Sequence, residues 1–161
     1  MKIGLISDTH DNVDAAKEAV NVFEENGVDK IFHLGDISSY PIIEFFPKDK
    51  SYFIFGNCDV RELQDFLVDK GYNASNSYDL KFDGQRMFFI HGDNRLFVNR
   101  MINDGLFDVV FHGHTHRRQN IKRNNTLIIN PGALKEGTIS VNKTICIYDT
   151  ESSDVEFIKI D

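Results

Sequence analysis

The chain has 161 residues, of which 41% are hydrophobic and 27% charged, and it carries a formal net charge of -7. This composition is ordinary for a globular protein, and we expect one domain over residues 1–161. The acidic balance argues against a general nucleic-acid or membrane surface, because both need a basic footprint. No apolar stretch approaches the roughly 20 residues of a membrane span. The N-terminus lacks signal-peptide features and the two cysteines make no disulfide framework, so we expect a cytoplasmic location.

The first third of the chain alternates between strand-like and helix-like patterns. Residues 2–7, 30–34 and 52–55 are short apolar runs typical of buried strands. Between them, apolar residues recur at helical spacing from Val13 onward, and a short helical segment begins at Pro41. The order β-α-β-α-β predicts parallel strands joined by right-handed crossovers.

The pattern changes after a helix predicted over residues 60–70. The remaining predicted elements are strands over 77–82 and 86–90, a helix over 95–104, and strands over 107–111, 119–123, 126–129, 143–148 and 155–160. Two turn signals, Asp83-Gly84 and Asn124-Asn125, join strand pairs as hairpins. A parallel α/β half followed by a largely antiparallel half predicts an α/β fold in which two sheets pack face to face, with helices outside.

Five predicted strands end in short polar elements whose chemistry suits metal ions. These elements are Asp8-Thr9-His10, Gly35-Asp36, Gly56-Asn57, His91-Gly92 and His114-Thr115-His116. Because the carboxyl ends of strands border the ligand crevice in open α/β sheets, we expect these side chains to share one edge. Their nitrogen and oxygen atoms suit Mn, Fe, Zn, Ni or Co. Seven such residues supply the eight bonds of two metal ions if Asp36 bridges them.

Each of these elements also has an ordinary structural interpretation. An aspartate after a strand is commonly a turn or a helix cap, and Asp8 alone fits that role. His33 and His112 are interpreted as hydrogen-bonded structural residues rather than ligands. The alternation of His114 and His116 in a tight turn favours two ligands instead. The combination of the five elements, in this order and all at strand ends, favours a metal site.

The order Asp-x-His, Gly-Asp, Gly-Asn, His-Gly, Gly-His-x-His resembles the calcineurin-like metallophosphoesterase superfamily. The size and the opening MKIGLISDTHDN are similar to its small, single-domain prokaryotic phosphodiesterase branch. The resemblance implies a four-layer αββα sandwich, with two mixed β-sheets face to face and helices on the outside. It also implies hydrolysis of phosphodiester bonds by a hydroxide bound between two divalent metal ions. Mn is expected first, with Ni, Fe, Zn or Co as alternatives.

The same resemblance implies the ligands of both ions. The first ion is assigned to Asp8, His10, Asp36 and His116, and the second to Asp36, Asn57, His91 and His114. The implied substrate is a small phosphodiester or nucleotide-like ester, and relatives of this size are often homodimers or larger homo-oligomers. Two alternatives stay open: a nucleotide phosphatase, and a catalytically weak protein-interaction scaffold on the same fold, similar to the retromer subunit family.

The residue after Asn57 departs from the family pattern. Many relatives have a histidine there, followed by an acidic residue, whereas this chain has Cys58 and then Asp59. A thiol is a weak hydrogen-bond donor whose reference pKa of about 8.5 does not match the role of an imidazolium near pH 7. With Asp36, Asn57 and Cys58 as the catalytic candidates, we predict a preference for phosphodiesters with good leaving groups over alkyl phosphomonoesters. Cys58 as a space-filler beside the metals is the alternative.

Two further segments near the motifs have structural interpretations. Asp93 stands where many relatives have a histidine, and we interpret it as the cap of the helix that begins near Arg95; a pocket that disfavours highly anionic substrates is the alternative. Residues 129–137 resemble the family's Asn-Pro-Gly turn, in which Asn130 and Pro131 are interpreted as architectural.

Basic residues cluster only after the last histidine motif. They are Arg117, Arg118, Lys122 and Arg123. A solvated hairpin face is the favoured interpretation. The alternative is that Arg117 or Arg118 contacts a substrate phosphate, because the guanidinium fork suits that group. The cluster is too small to predict nucleic-acid binding.

Overall fold

The computed structural model describes residues 1–135 and 142–161. The helices are α1 (Val13–Glu25), α2 (Tyr40–Ile43), α3 (Arg61–Asp69) and α4 (Arg95–Asn103). The strands are β1 (Lys2–Ile6), β2 (Lys30–His33), β3 (Ser51–Ile54), β4 (Asn73–Ser75), β5 (Ser77–Phe82), β6 (Gln85–Ile90), β7 (Val109–His112), β8 (Gln119–Arg123), β9 (Thr126–Asn130), β10 (Lys143–Asp149) and β11 (Val155–Ile160). None of the helices in these two stretches is both long and apolar enough to cross a membrane.

The strands form two mixed sheets, which confirms the predicted fold class. The first sheet has the order β11-β10-β1-β2-β3-β4, in which β1 to β4 are parallel and β10 is antiparallel to β1. The second has the order β5-β6-β7-β9-β8. The expectation of a largely antiparallel second half was wrong for this sheet, because β6, β7 and β9 run parallel between two antiparallel edge pairs.

The apolar residues fall into three layers between and outside the sheets. The central layer joins the inner faces of both sheets, where the ring of Phe32 stacks on that of Phe89 with 3.8 Å between centroids. A second layer lies under α1, α2 and α3 on the outer face of the first sheet and includes the fully buried Phe23. The third layer packs α4 on the second sheet through Val98 and Ile102. The four-layer αββα arrangement follows from this burial of one face of each helix.

The residue that caps α4 differs from the prediction. The side chain of Asn94, not that of Asp93, caps α4 by accepting a hydrogen bond from the backbone N–H of Phe97 at 3.1 Å. Asn12 caps α1 in the same way, through the backbone N–H of Ala15. Each cap lies two residues after the end of a strand-end motif, so the turn that presents the motif also leads into the next helix.

Candidate metal centre

The five strand-end elements come together at one end of the sandwich. β1, β2 and β3 are neighbouring parallel strands, and so are β6 and β7, so the side chains that follow them lie at the carboxyl edges of the two sheets. Five of the seven candidate ligands have positive φ angles: Asp8, His10, Asp36, His114 and His116. Non-glycine residues rarely adopt this conformation, which costs on the order of 1–3 kcal/mol and is concentrated at functional sites.

The first ligand group contains Asp8, His10 and His116, whose ligand atoms all lie within 4.8 Å of one another. Oδ1 of Asp8 is 3.2 Å from Nε2 of His116 and 3.9 Å from Nε2 of His10. Within the described residues, Oδ1 of Asp8 and Nε2 of His10 are buried and have no hydrogen-bond partner. Buried polar atoms are seldom left unsatisfied, and a cation between this oxygen and nitrogen would satisfy both. The group therefore fits a metal ion.

The other oxygen of Asp8 holds the carboxylate in place. Oδ2 accepts hydrogen bonds from the Ser7 hydroxyl at 2.5 Å and from the backbone N–H of His114 at 3.0 Å. Gly113 makes this approach possible, because a Cβ atom there would lie 1.9 Å from Oγ of Ser7. The two sheets are thus joined directly at the candidate centre, and Oδ1 is left to face His10 and His116.

The second ligand group contains Asp36, His91 and His114, again with all ligand atoms within 4.8 Å. Nε2 of His91 lies 3.4 Å from Oδ1 of Asp36 and 3.0 Å from Oδ1 of Asn57. On the other side of the ring, Nδ1 donates to the backbone carbonyl of Leu34 at 2.7 Å. Such a bond from one ring nitrogen to a carbonyl orients the other toward a metal, as in many histidine-metal sites.

Asp36 lies between the two groups. Oδ1 faces His91, whereas Oδ2 is 3.5 Å from Nε2 of His10. The backbone N–H of Cys58 donates to Oδ1 at 2.9 Å and fixes the orientation. Burial raises the pKa of the Asp36 carboxyl, but the neighbouring His91 outweighs it, and the pKa falls well below its usual range. Burial lowers the pKa of His91, while Asp36 raises it more strongly, to about 9. The ionised Asp36 carboxylate thus stabilises positive charge beside it.

Asp59, which sequence reasoning passed over, organises the loop that carries Asp36. Its buried carboxylate accepts four backbone hydrogen bonds: Oδ2 from Gly56 and Asp36 at 2.8 and 2.9 Å, and Oδ1 from Ile37 and Ser38 at 2.7 and 3.0 Å. Burial raises the pKa of Asp59 despite these bonds. The only sequence signal was an acidic residue two positions after Asn57, which does not reveal hydrogen bonds to another loop.

Cys58 is exposed at the rim of the centre. Its Sγ atom lies within 4.8 Å of ligand atoms of His10 and Asp36, and the side-chain amide of Asn57 donates to it at 3.6 Å. Partial desolvation, together with the negative charge of Asp36, raises the pKa of the Cys58 thiol to about 11. Without a bound cation, the side chain is therefore a neutral thiol at pH 7.

His33 and His112 lie outside both ligand groups. The ring of His33 is fully buried between the Thr9 hydroxyl and the backbone N–H of Gly35, and burial lowers its pKa to about 3. Burial also lowers the pKa of His112, whose Nε2 donates to Oε1 of Gln119 at 2.8 Å. Both rings are hydrogen-bonded neutral groups that support the loops. This agrees with their interpretation from the sequence as structural residues.

Asn130 supports the loop that carries the last two histidines. Its side-chain amide donates to the carbonyl of Gly113 at 2.8 Å and to the hydroxyl of Thr115 at 3.1 Å, while its oxygen accepts from the backbone N–H of Gly132 at 2.9 Å. The Pro131 carbonyl accepts from the Thr144 hydroxyl. Residues 136 and 137, the end of the resembling segment, lie outside the described residues.

The basic segment divides between two places. Arg117 and Arg118 line a cavity that adjoins His114, and the guanidinium of Arg118 also lies over the Phe157 ring at 5.7 Å from its centroid. Lys122 instead lines a separate cavity with Gln85 and Tyr148. The first two arginines are therefore beside the candidate centre and not only on a solvated hairpin face.

Comparison with known proteins identifies the family. The family model for the calcineurin-like phosphoesterase superfamily domain matches residues 1–153. The chain belongs to this superfamily. A phosphodiesterase of Methanocaldococcus jannaschii is 33% identical over 169 aligned residues, which cover 100% of both chains.

Solved structures agree with the family assignment. The structure of an archaeal phosphodiesterase superimposes with a TM-score of 0.88 at 31% identity, covering 99% of this chain and 100% of that one. Yfce, a phosphoesterase from E. coli, superimposes with a TM-score of 0.76 at 20% identity over 100% of both chains, which shows a shared fold. Members of this superfamily use divalent metal ions, for which the two ligand groups provide candidate residues.

Proposed function

We propose that this phosphoesterase is a metal-dependent phosphodiesterase with two divalent cations, Mn²⁺ first among them, at the carboxyl edges of its sheets. The observation that carries the proposal is the position of Asp36, whose two oxygens face His10 on one side and His91 on the other. A carboxylate placed in this way suits a bridging ligand. The phosphodiesterases at 33% and 31% identity support the reaction class.

The proposed ligands follow from the two groups and from Asn57. Asp8, His10, Asp36 and His116 would hold one ion, and Asp36, Asn57, His91 and His114 the other. All are nitrogen or oxygen donors, which suits Mn, Ni, Fe, Zn or Co. We name Mn²⁺ because carboxylate oxygens supply part of both sets and the Asn57 amide oxygen part of the second, and hard oxygen donors suit this ion.

When bound, the two cations would hold the phosphate oxygens, neutralise developing charge and lower the pKa of a bound water. The residues of the chain position this chemistry. Asp8 is fixed by Ser7 and by the backbone of His114, and Asp36 by the backbone of Cys58, so neither carboxylate needs to reorganise during the reaction. His91 is oriented by its bond to the Leu34 carbonyl.

Cys58 gives the proposed site its substrate preference. A thiol is a weak hydrogen-bond donor, so Cys58 does not protonate an alkoxide leaving group as an imidazolium can. Substrates whose leaving group needs no proton, such as aryl phosphodiesters, are therefore preferred over alkyl phosphomonoesters. The same property disfavours a nucleotide phosphatase.

The test is hydrolysis of bis(4-nitrophenyl) phosphate by metal-stripped protein titrated with Mn²⁺, with Asp36→Asn as the site variant and Asp65→Asn, on the surface of α3, as the matched control. We expect activity to rise with Mn²⁺ in the wild type and the control and to be lost in Asp36→Asn. Binding of Mn²⁺ without any turnover would favour the scaffold alternative, and an absence of Mn²⁺ binding would refute the metal centre.

We also propose that residues 1–161 form one cytoplasmic domain that assembles as a homodimer or larger homo-oligomer. The central core layer supports the single domain, because it packs Ile3 and Leu5 near the start of the chain with Cys146 and Tyr148 near its end. Sedimentation equilibrium at several protein concentrations measures the assembly state directly, and a monomer at all of them would refute this part.

A further inference from the structure

A groove leads away from the candidate metal centre on the side of His114. Its first part is a cavity of about 570 Å³ that adjoins His114 and is lined by Arg95, Arg117 and Arg118. A smaller cavity of about 180 Å³ shares Arg95 with the first and adds Arg123. These two cavities, with their four arginines, are called the arginine groove below. No carboxylate lines either part among the described residues.

The charge of the groove is opposite to that of the whole protein. The chain has 25 acidic residues against 18 lysines and arginines. Three of its seven arginines, Arg61, Arg86 and Arg100, pair with an aspartate at 3.8, 2.7 and 3.5 Å. The other four all line the arginine groove, and in the described part of the chain none of them has an aspartate or glutamate within ion-pair distance. Unpaired guanidinium groups in a concave surface attract anions.

Two uncharged residues that line the groove, Thr115 and Gln119, are held by hydrogen bonds from buried side chains. Oε1 of Gln119 accepts a hydrogen bond from the buried ring of His112, so the amide NH₂ of Gln119 is its remaining polar group. The hydroxyl oxygen of Thr115 accepts from Asn130, which leaves the Thr115 O–H as a donor. The lining of the groove thus combines charged donors with neutral donors, and both kinds suit phosphate oxygens.

We propose that the arginine groove binds a second phosphate of the substrate, and that the preferred substrates are small phosphodiesters that carry a further phosphate group beside the scissile bond. This assignment rests on the proposed function, because the groove begins at His114, a proposed metal ligand. Its volume falls in the range of pockets that enclose nucleotide-sized ligands. The net charge of -7 disfavours a long polyanion, which would extend beyond the groove over acidic surface.

Two dinucleotides that differ by one phosphate test the proposal. Thymidylyl-thymidine (TpT) has only the scissile diester, and its 5′-phosphorylated form (pTpT) adds the second phosphate. Calorimetric titration of metal-stripped protein at low salt is expected to show pTpT bound at least about tenfold more tightly, the value of one charge-assisted hydrogen bond. The difference should shrink as salt is added. In Mn²⁺-loaded protein, kcat/KM should favour pTpT over TpT by a similar factor.

Variants assign the preference to the groove. Arg117→Gln and Arg95→Gln should each reduce the pTpT to TpT ratio toward one, in binding and in kcat/KM. Arg100→Gln is the matched control, because Arg100 lies on the same helix as Arg95 but pairs with Asp104 outside the groove. It should keep the wild-type ratio.

Four results would overturn the assignment. Equal affinities for TpT and pTpT, or a preference that survives both groove variants, would show that the arginines do not bind the second phosphate. Tighter binding of a long single-stranded DNA than of pTpT would refute a small substrate. If Mn²⁺-loaded protein hydrolyses neither dinucleotide nor bis(4-nitrophenyl) phosphate, the proposed function itself fails, and the substrate assignment fails with it.

Discussion

Replacing Asp59 by asparagine should loosen the loop that holds the proposed bridging ligand. The carboxylate of Asp59 accepts four backbone hydrogen bonds, two on each oxygen, and its side chain is buried. In Asp59→Asn, one oxygen becomes an NH₂ donor that faces two backbone N–H groups. Two buried N–H groups then lack an acceptor, at about 1–3 kcal/mol each, so the unfolding free energy should fall by about 2–6 kcal/mol.

The lower part of that range is expected, because burial already disfavours the charge that the substitution removes, as the raised pKa of Asp59 indicates. Each oxygen of Asp59 accepts at least one N–H of residues 36–38, so the Asp36 loop loses a hydrogen bond whichever oxygen is replaced, and the variant should also bind Mn²⁺ more weakly. Urea unfolding in the presence of a chelator measures the first effect, and Mn²⁺ titration by calorimetry the second. Asp65→Asn, at an exposed position of α3, should change stability by no more than about 0.5 kcal/mol. If Asp59→Asn matched this control in both assays, the proposed role of the clamp would be wrong.

Three other substitutions test separate parts of the structure. Gly113→Ala places a Cβ 1.9 Å from Oγ of Ser7, so it should displace Asp8 and weaken Mn²⁺ binding at least about tenfold. Gly71→Ala, where a Cβ meets no atom within 4 Å, should leave Mn²⁺ affinity unchanged. Equal Mn²⁺ affinities in the two variants would contradict the account of close packing at Gly113. Cys58→His should raise the ratio of kcat/KM for an alkyl phosphomonoester to kcat/KM for an aryl diester by about 10²-fold, which is the lower end of general acid catalysis. An unchanged ratio would support the space-filling interpretation of Cys58. Burial lowers the pKa of His33 in the folded chain to about 3, so the unfolded state binds more protons below pH 6.5 and folding stability falls as the pH drops from 7 to 5. His33 should contribute about 2 kcal/mol to that fall in the free energy of unfolding. His33→Gln should remove this contribution when urea unfolding is compared at the two pH values. An equal pH dependence in both proteins would refute a buried neutral His33.

Local patterns along the chain predicted most of the elements and the order of the site motifs. Apolar runs and helical spacing are properties of neighbouring residues, so the β-α-β-α-β start and the helices near residues 60–70 and 95–104 were foreseen. β4 was missed because Asn73–Ser75 is a short, polar edge strand without an apolar run. The predicted strand over residues 107–111 began two residues early, because Phe107 packs against α4 in the third core layer before β7 begins.

The sequence by itself determined which side chains end which strands, since that depends only on the chain's own order. It did not determine which strands become neighbours. β10 pairs with β1, far away along the chain, through long-range hydrogen bonds that an alternating pattern does not specify. Only the tertiary structure decided that Asp36 faces both His10 and His91. It also decided that the loop carrying Asp36 is held by Asp59, a residue of another loop, and that four arginines share one groove. Each of these depends on contacts between residues distant in sequence, which form when the two sheets pack on one core.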